Sequence, residues 1–407
     1  MIRFDIVSQG EELVSGSTVD TNSGWICQKL KERGFTAGRI TVVGDELDEI
    51  RGALSEAAGR SRVVICTGGL GPTSDDLTTE AAGHAFDRPL AEDPTALAQV
   101  EERYRARNRP MPPANRKQAI LPAGASLLEN LWGTAPGYRL DVTTAAEPCH
   151  LYFLPGVPSE MKRMFEAHVL PDLASRYQLP PKRTLLFRCV GLAESEAAQR
   201  MASLAQPGVV VGYRANLPEI HVKLHLDPGV DEKPLIADTL ERLGDYVFTV
   251  GGGPLAEVVG KRLEARGETV ATAESCTAGR IGADITSVAG ASTWYVGGAV
   301  VYANAEKVRQ CGVEQTLLDA HGAVSEPVAR ALAEGIRTRT GATWGLSVTG
   351  IAGPGGGSAE KPVGTVHIAV AGPSGTVHRK IHVPFDRTRN LQMTTALALD
   401  LLRRQLD

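Results

Sequence analysis

Short apolar runs alternate with segments of helical period from the first residues onward. FDIVSQ reads as a strand, the stretch after Asp20-Thr21-Asn22 as a helix ending at Gly34, and TAGRITVVG as a second strand. RSRVVICTGGLGP then takes an apolar, β-branched run into a glycine-rich turn. The DDLTTEAAGHAF that follows reads as a helix whose N-terminus Asp75 and Asp76 suit. HLYFLPGVPSEMKRMFEAHVLP returns to strand, Gly-Pro turn and a helix begun by Ser159 and Glu160. This order implies a parallel α/β sheet, with a first domain over residues 1–172. Within it, residues 92–115 turn polar and basic. They are expected as an excursion over the surface or across a partner subunit, a solvated helix and loop being the plain alternative.

A different pattern holds over residues 180–250, where two strands around VVVGYRANLPEIHVKLHL follow a helical ESEAAQRMASL. This is a small α+β module, KH-like in outline but lacking the GXXG loop that grips a nucleic-acid backbone, so a spacer or dimerisation role is expected. The chain restarts at Gly251-Gly252-Gly253-Pro254. PLAEVVGKRLEARG then reads as an amphipathic helix with Leu255, Val258, Val259 and Leu263 on one side. A third domain, residues 254–407 and again α/β, is predicted to place strands at ETVATAES, TWYVGGAVVYA, TWGLSVTGIAG, GTVHIAVAG and TVHRKIHVPF and to close on the helix NLQMTTALALDLLRRQL.

Length and charge narrow the functional classes. A chain of 407 residues exceeds one ordinary core, in keeping with several domains. A net charge of -4 offers no broad attraction to nucleic acid, and no apolar run reaches signal-peptide or membrane-span length, so a cytoplasmic protein is expected. The 6 cysteines include no C-x-x-C pair, which points to reduced thiols rather than zinc or a disulfide framework.

Reactive side chains cluster where apolar runs stop. ATAESCTAGRIG sets Glu274, Ser275, Cys276 and Thr277 between a strand and a glycine-assisted helix start, where helix-terminal amides suit a developing oxyanion. The plain alternative is that Ser275 or Thr277 only caps the helix. Tyr302 and Lys307 follow a buried strand, and burial would make Lys307 a base, an ordinary surface charge being the plain alternative. SVTGIAGPGGGSAEKPVGT places Thr349 at the mouth of a loop whose Gly350, Gly353 and Gly355 let backbone N–H groups approach a ligand. These pieces fit an amidohydrolase in which Ser275 attacks a carboxamide and Lys307 removes its proton, with Cys276 as the rival nucleophile. In the first domain, TGGLGPTSDDLT follows a strand and opens a helix, an anion-binding arrangement that is neither a Walker A loop nor a G-x-G-x-x-G fingerprint. Asp75 and Asp76 there supply hard oxygen ligands for a divalent cation, or simply complement the helix dipole.

TAESCTAG, YANAEK, HGAVSEPVA and SVTGIAGPGGGSAEKPVGT together resemble the C-terminal domain of CinA proteins and the stand-alone nicotinamide mononucleotide deamidases of the PncC type, from about Pro254 to the C-terminus. The resemblance implies metal-free hydrolysis of nicotinamide mononucleotide to nicotinate mononucleotide and ammonia through Ser275, with Tyr302, Lys307 and Thr349 matching residues of the family site. It also implies an arginine for the nucleotide phosphate, here Arg387, with Phe385 where the family commonly has glycine. The glycine loop with GEELVSG, DTN, NRKQA, GTAPG and FLPGVPSEM resembles the CinA N-terminal domain over roughly residues 1–170 and, more distantly, the molybdopterin-binding fold of MoeA and MogA.

That second resemblance implies a metal-dependent ADP-ribose pyrophosphatase yielding AMP and ribose 5-phosphate, without a Nudix box. Gly68, Gly69, Gly71 and Thr73 would approach phosphate, Asp75 and Asp76 would hold metal, Asp20 and Asn22 would face the pocket, and Asn115, Arg116 and Lys117 would add positive charge. The expected ligands are therefore small nucleotides, with no nucleic acid and no membrane, in a homodimer. A molybdopterin-binding protein is the first alternative. A competence-associated interaction protein is the second, against which the joint presence of Ser275, Lys307 and Thr349 weighs.

Overall fold

The β-branched runs of the first unit become strands β1 (Arg3–Gln9), β2 (Thr36–Val43) and β3 (Val63–Thr67), a two-stranded ribbon of β4 (Leu90–Glu92) with β5 (Ile120–Pro122), then β6 (Ser126–Leu128), β7 (Gly137–Thr143) and β8 (Pro148–Leu154). The main sheet runs β2-β1-β3-β8-β7-β6. β1, β2, β3 and β8 are parallel, while β7 pairs antiparallel with both β8 and β6, so the expected parallel sheet carries an antiparallel edge. β3 is buried along its whole length, as a central parallel strand covered on both faces must be. Its alternate side chains serve two cores, Val64 and Cys66 on one face and Val63 and Ile65 on the other. The computed structural model describes residues 2–143, 148–180 and 183–406. It has two compact units, Met1–Arg183 and Thr184–Asp407. Pro181 and Lys182, at the start of the predicted middle module, lie outside the described residues.

The basic stretch after Glu92 takes the plain alternative, a solvated helix and loop: the helix Pro94–Arg105, N-capped by Asp93, is exposed along one face but sinks Ala96 and Val100 into the core. The helix after the glycine loop begins at Thr78, so Asp75 and Asp76 lie in the loop rather than in the first helical turn.

The second unit holds two sheets. β9 (Arg183–Val190), β10 (Val209–Asn216), β11 (Glu219–Leu226) and β12 (Val247–Val250) form the order β10-β11-β9-β12, with a core of Phe187, Cys189, Val222, Leu224 and Leu235 among others. The hairpin of β10 and β11 matches the two strands read from the pattern, and β9 and β12 complete the sheet. β13 (Val270–Glu274), β14 (Tyr295–Val300), β15 (Trp344–Gly350), β16 (Thr365–Gly372) and β17 (Gly375–His382) follow, in the order β14-β13-β15-β16-β17. β13 is parallel to both neighbours and fully buried, and β16 and β17 continue antiparallel. The helix Leu255–Arg266 buries Leu255, Val259 and Leu263 against this sheet's core as its period predicts. Among the described residues no helix is long and apolar enough to cross a membrane, and the cysteines are unpaired.

Candidate functional site

In each unit the strand order reverses beside a central parallel strand, and the crevice beyond the carboxyl ends of such strands is where open α/β sheets receive ligands. In the first unit a cleft of about 440 Å³ occupies that place, lined by Gln9 at the end of β1 and Gly10 just past it, Asp45 after β2, residues 68–72 after β3 and Gly156 after β8. Gly68 and Gly69 turn the chain with φ of 100° and 64°, and a Cβ on Gly68 would strike the Gln9 carbonyl. Thr73 closes the loop by donating its amide (2.8 Å) and its hydroxyl to Asp76, and Lys117 Nζ donates to the Thr73 carbonyl at 2.6 Å.

The other N-terminal candidates divide. Asn22 Nδ2 donates to the Gly156 carbonyl at 2.8 Å while its Oδ1 is buried without a partner. Asp20 is not among the residues that line the cleft. It caps the helix Thr21–Glu32 through the Ser23 amide and accepts from the Ser8 hydroxyl, so both oxygens are engaged. Of Asn115, Arg116 and Lys117 only Lys117 reaches the glycine loop. Arg116 is drawn to Glu92, an ion pair that fixes it elsewhere, and Asn115 is buried against Gln118.

Charge in this cleft is acidic: Glu12, Asp45, Asp75, Asp76 and Glu160 all line it. A nucleoside diphosphate would be repelled there unless a cation bridged it, and carboxylate oxygens are the donors a hard divalent ion takes. Among the described residues no three His, Cys, Asp or Glu converge on one point. Such a donor set suits an ion held by one or two carboxylates together with substrate phosphate and water. Gln9 and Asp45, not foreseen, belong to this rim. Gln9 Nε2 donates to Asp45 at 2.7 Å and to the Asp75 carbonyl at 3.1 Å, so it fixes the acidic loop. Both stand at or just past a strand's carboxyl end, the one signal that marked them.

In the second unit Ser275 follows β13, its amide donating to the Val348 carbonyl at 3.0 Å. Neither Ser275 nor Thr277 caps the next helix. Glu274 does so, its buried carboxylate accepting from the amides of Gly279 (3.0 Å), Ile281 (3.1 Å) and Gly282 (2.9 Å). The helix-terminal amides expected to hold an oxyanion are thereby occupied. The amides of Cys276 and Thr277, in the turn just after Ser275, lie against the Cys276 sulfur. Glu274→Ala should destabilise this unit by roughly 2–4 kcal/mol, since three amides, that of Ile281 fully buried, lose their acceptor, and Glu274→Gln by less. Chemical denaturation tests this, and unchanged midpoints would refute the capping role.

Lys307, only 1% exposed, donates from Nζ to the carbonyls of Val301 (2.9 Å) and Tyr302 (3.1 Å). Burial lowers its pKa from the ordinary lysine value, against a smaller opposing pull from the Cys276 and Cys311 thiols. Cys276 is pushed up to about 12 by burial, so near neutral pH it is a thiol rather than a thiolate. Thr349 is buried and donates to the Ala323 carbonyl at 2.7 Å. Tyr302 contributes its carbonyl to Lys307, while its side chain is 61% exposed. Arg387 is exposed, and its Nη1 donates to the Gly353 carbonyl at 2.7 Å, which ties the last helix to the glycine-rich loop. Gly353 needs its left-handed φ of 85°, Gly350 packs against Val366, and Gly355 stands in open space.

Two family models match the chain: CinA C-terminal domain over residues 253–406 and probable molybdopterin binding domain over residues 5–175. A CinA-like protein of Anaeromyxobacter dehalogenans (strain 2CP-C) is 44% identical over 99% of both chains. Another from Geobacter sulfurreducens is 41% identical over 100% of this chain and 99% of its own. Among solved structures, the competence/damage inducible protein CihA from Agrobacterium tumefaciens is 40% identical, with TM-score 0.36, over 37% of this chain and 93% of its own.

Proposed function

The chain belongs to the CinA family, and on that premise we propose that it is a bifunctional nucleotide hydrolase. Its second unit deamidates nicotinamide mononucleotide, and its first cleaves ADP-ribose with a divalent metal ion. The observation that carries the first activity is Lys307. A neutral amine has two N–H donors and one lone pair. Val301 and Tyr302 take the two donors, and the lone pair remains to accept a proton. Burial favours that neutral form.

Ser275 Oγ attacks the carboxamide carbon as its proton passes to Lys307, and the turn amides of Cys276 and Thr277 hold the developing oxyanion. Collapse of the tetrahedral adduct expels the amide nitrogen, which takes the proton from Lys307 and leaves as ammonia. Water then cleaves the acyl ester by the same route in reverse, releasing nicotinate mononucleotide. Thr349 stiffens the neighbouring strand end, and Arg387 stands beside the glycine-rich loop for the nucleotide phosphate.

In the first unit Asp75 and Asp76 would hold the metal ion, which when bound neutralises diphosphate charge. The glycine loop supplies backbone amides, Lys117 a cation, and Gln9 keeps the acidic loop in place. Incubation with nicotinamide mononucleotide and with ADP-ribose, each with and without chelator, tests both halves. Chelator should silence ADP-ribose cleavage and spare ammonia release. A chelator-sensitive deamidase would refute the serine route. The family match over residues 5–175 also keeps molybdopterin binding as a second reading of the same cleft, and titration with molybdopterin against ADP-ribose separates the two.

A further inference from the structure

A polar row crosses the C-terminal sheet at the level of Ser275. Glu274 is in register with Val348, which sets Ser275 level with Thr349. Thr349 lies directly opposite His367 on β16, and His367 opposite Lys380 on β17. Neighbouring strands are about 4.8 Å apart, so His367 stands two strands, roughly 10 Å, from Ser275. Opposed residues share a face, and the bond from the Ser347 hydroxyl to the Ala329 carbonyl, on the same face as Thr349, marks this face as the one next to the helix Glu326–Thr340.

A hydrogen-bonded chain fixes the His367 ring. His378 Nδ1 lies 3.3 Å from Glu326, and His378 Nε2 lies 2.9 Å from His367 Nδ1, with the two rings stacked. Arg330 holds the Glu326 carboxyl below its usual range, so Glu326 is ionised and only accepts. His378 must then carry its proton on Nδ1. Burial keeps His378 neutral, leaving Nε2 an acceptor, so His367 must donate from Nδ1. His367 Nε2 is thereby left with a lone pair. Burial, and then His378, pulls His367 down to about 4, so the ring stays neutral near pH 7. Lys361 stands near but is committed to the His321 carbonyl at 3.0 Å. His367 as a whole retains 7% exposure.

We propose that His367 Nε2 is a substrate-binding group of the C-terminal site, accepting a hydrogen bond from a ribose hydroxyl of the nucleotide whose carboxamide faces Ser275. This rests on the deamidase reading. An obligate acceptor cannot bind a phosphate or a carboxylate, and the carboxamide is engaged two strands away. The ribose hydroxyls are the donors that remain.

The test is steady-state kinetics on nicotinamide mononucleotide and its 2′-deoxy and 3′-deoxy analogues, with wild type, His367→Ala and His367→Gln. His367→Ala should raise KM for nicotinamide mononucleotide roughly tenfold at nearly unchanged kcat. One deoxy analogue should lose the same factor with wild type and nothing further with His367→Ala, and the glutamine oxygen should restore part of the loss. Equal penalties on all three substrates would show a structural role and overturn the proposal. So would wild type that handles both analogues as well as the parent, whatever the fate of the variants. Wild type that releases no ammonia at all would overturn the deamidase reading together with this one, whereas the preceding two results leave that reading standing.

Discussion

Ser275→Ala should abolish ammonia release from nicotinamide mononucleotide, lowering kcat by roughly a thousandfold or more, while ADP-ribose cleavage continues at the wild-type rate. The size of the loss follows from removing the atom that forms the covalent bond, which no neighbour replaces. Cys276 is next in sequence and intrinsically the better nucleophile, but its thiol is pushed up to about 12 and stays protonated near pH 7. Cys276→Ala should accordingly keep most of the deamidase activity. If Cys276→Ala were inactive and Ser275→Ala active, the two roles would be exchanged. Persistence of the second activity follows from placement: Ser275 belongs to the unit Thr184–Asp407 and the acidic cleft to Met1–Arg183. Loss of both activities in the one variant would reject two independent sites. Ammonia and AMP assays on a single preparation decide the matter.

The legible parts of this protein are those in which burial is continuous along the chain. β3 is buried throughout and reads as an apolar run, whereas β13 is as fully buried but interleaves Thr272 and Glu274 with its apolar residues; both candidate loops begin where these strands stop. β9 begins exposed and reads as no strand, and the helix Pro94–Arg105 carries so many charges that its buried Ala96 and Val100 are lost among them. Local composition likewise could not separate Arg116 from Lys117. The first is held by Glu92, 24 residues away, and the second by the Thr73 carbonyl, 44 residues away. Glu274 shows the same limit. It sits inside the reactive run ESCT, yet its carboxylate turns back to the helix amides, a contact decided by the turn at residues 275–279. The pairing of His367 with His378 depends on the register of β16 against β17, which no single segment encodes.

Replacement of Lys307 by either arginine or methionine should lower kcat for nicotinamide mononucleotide by roughly a hundredfold or more, the usual scale of a general-base contribution. The proposed task needs an unprotonated amine. Burial lowers the Lys307 pKa from 10.5, which raises the neutral fraction at any pH on the acid side of that value. Activity should therefore fall as pH drops through the lowered pKa, because protonation fills the lone pair that accepts the Ser275 proton. Arginine keeps the positive charge and cannot deprotonate in this range, and methionine keeps approximate length with neither charge nor lone pair of comparable basicity. Both also disturb the bonds to the carbonyls of Val301 and Tyr302, so thermal unfolding must accompany the kinetics. A folded variant of either kind should lack the wild-type acid limb in kcat. If Lys307 only holds substrate charge, arginine should preserve kcat and methionine should raise KM alone. Near-normal kcat in a folded Lys307→Arg protein would reject the base assignment and pass the proton to Tyr302 or to bound water.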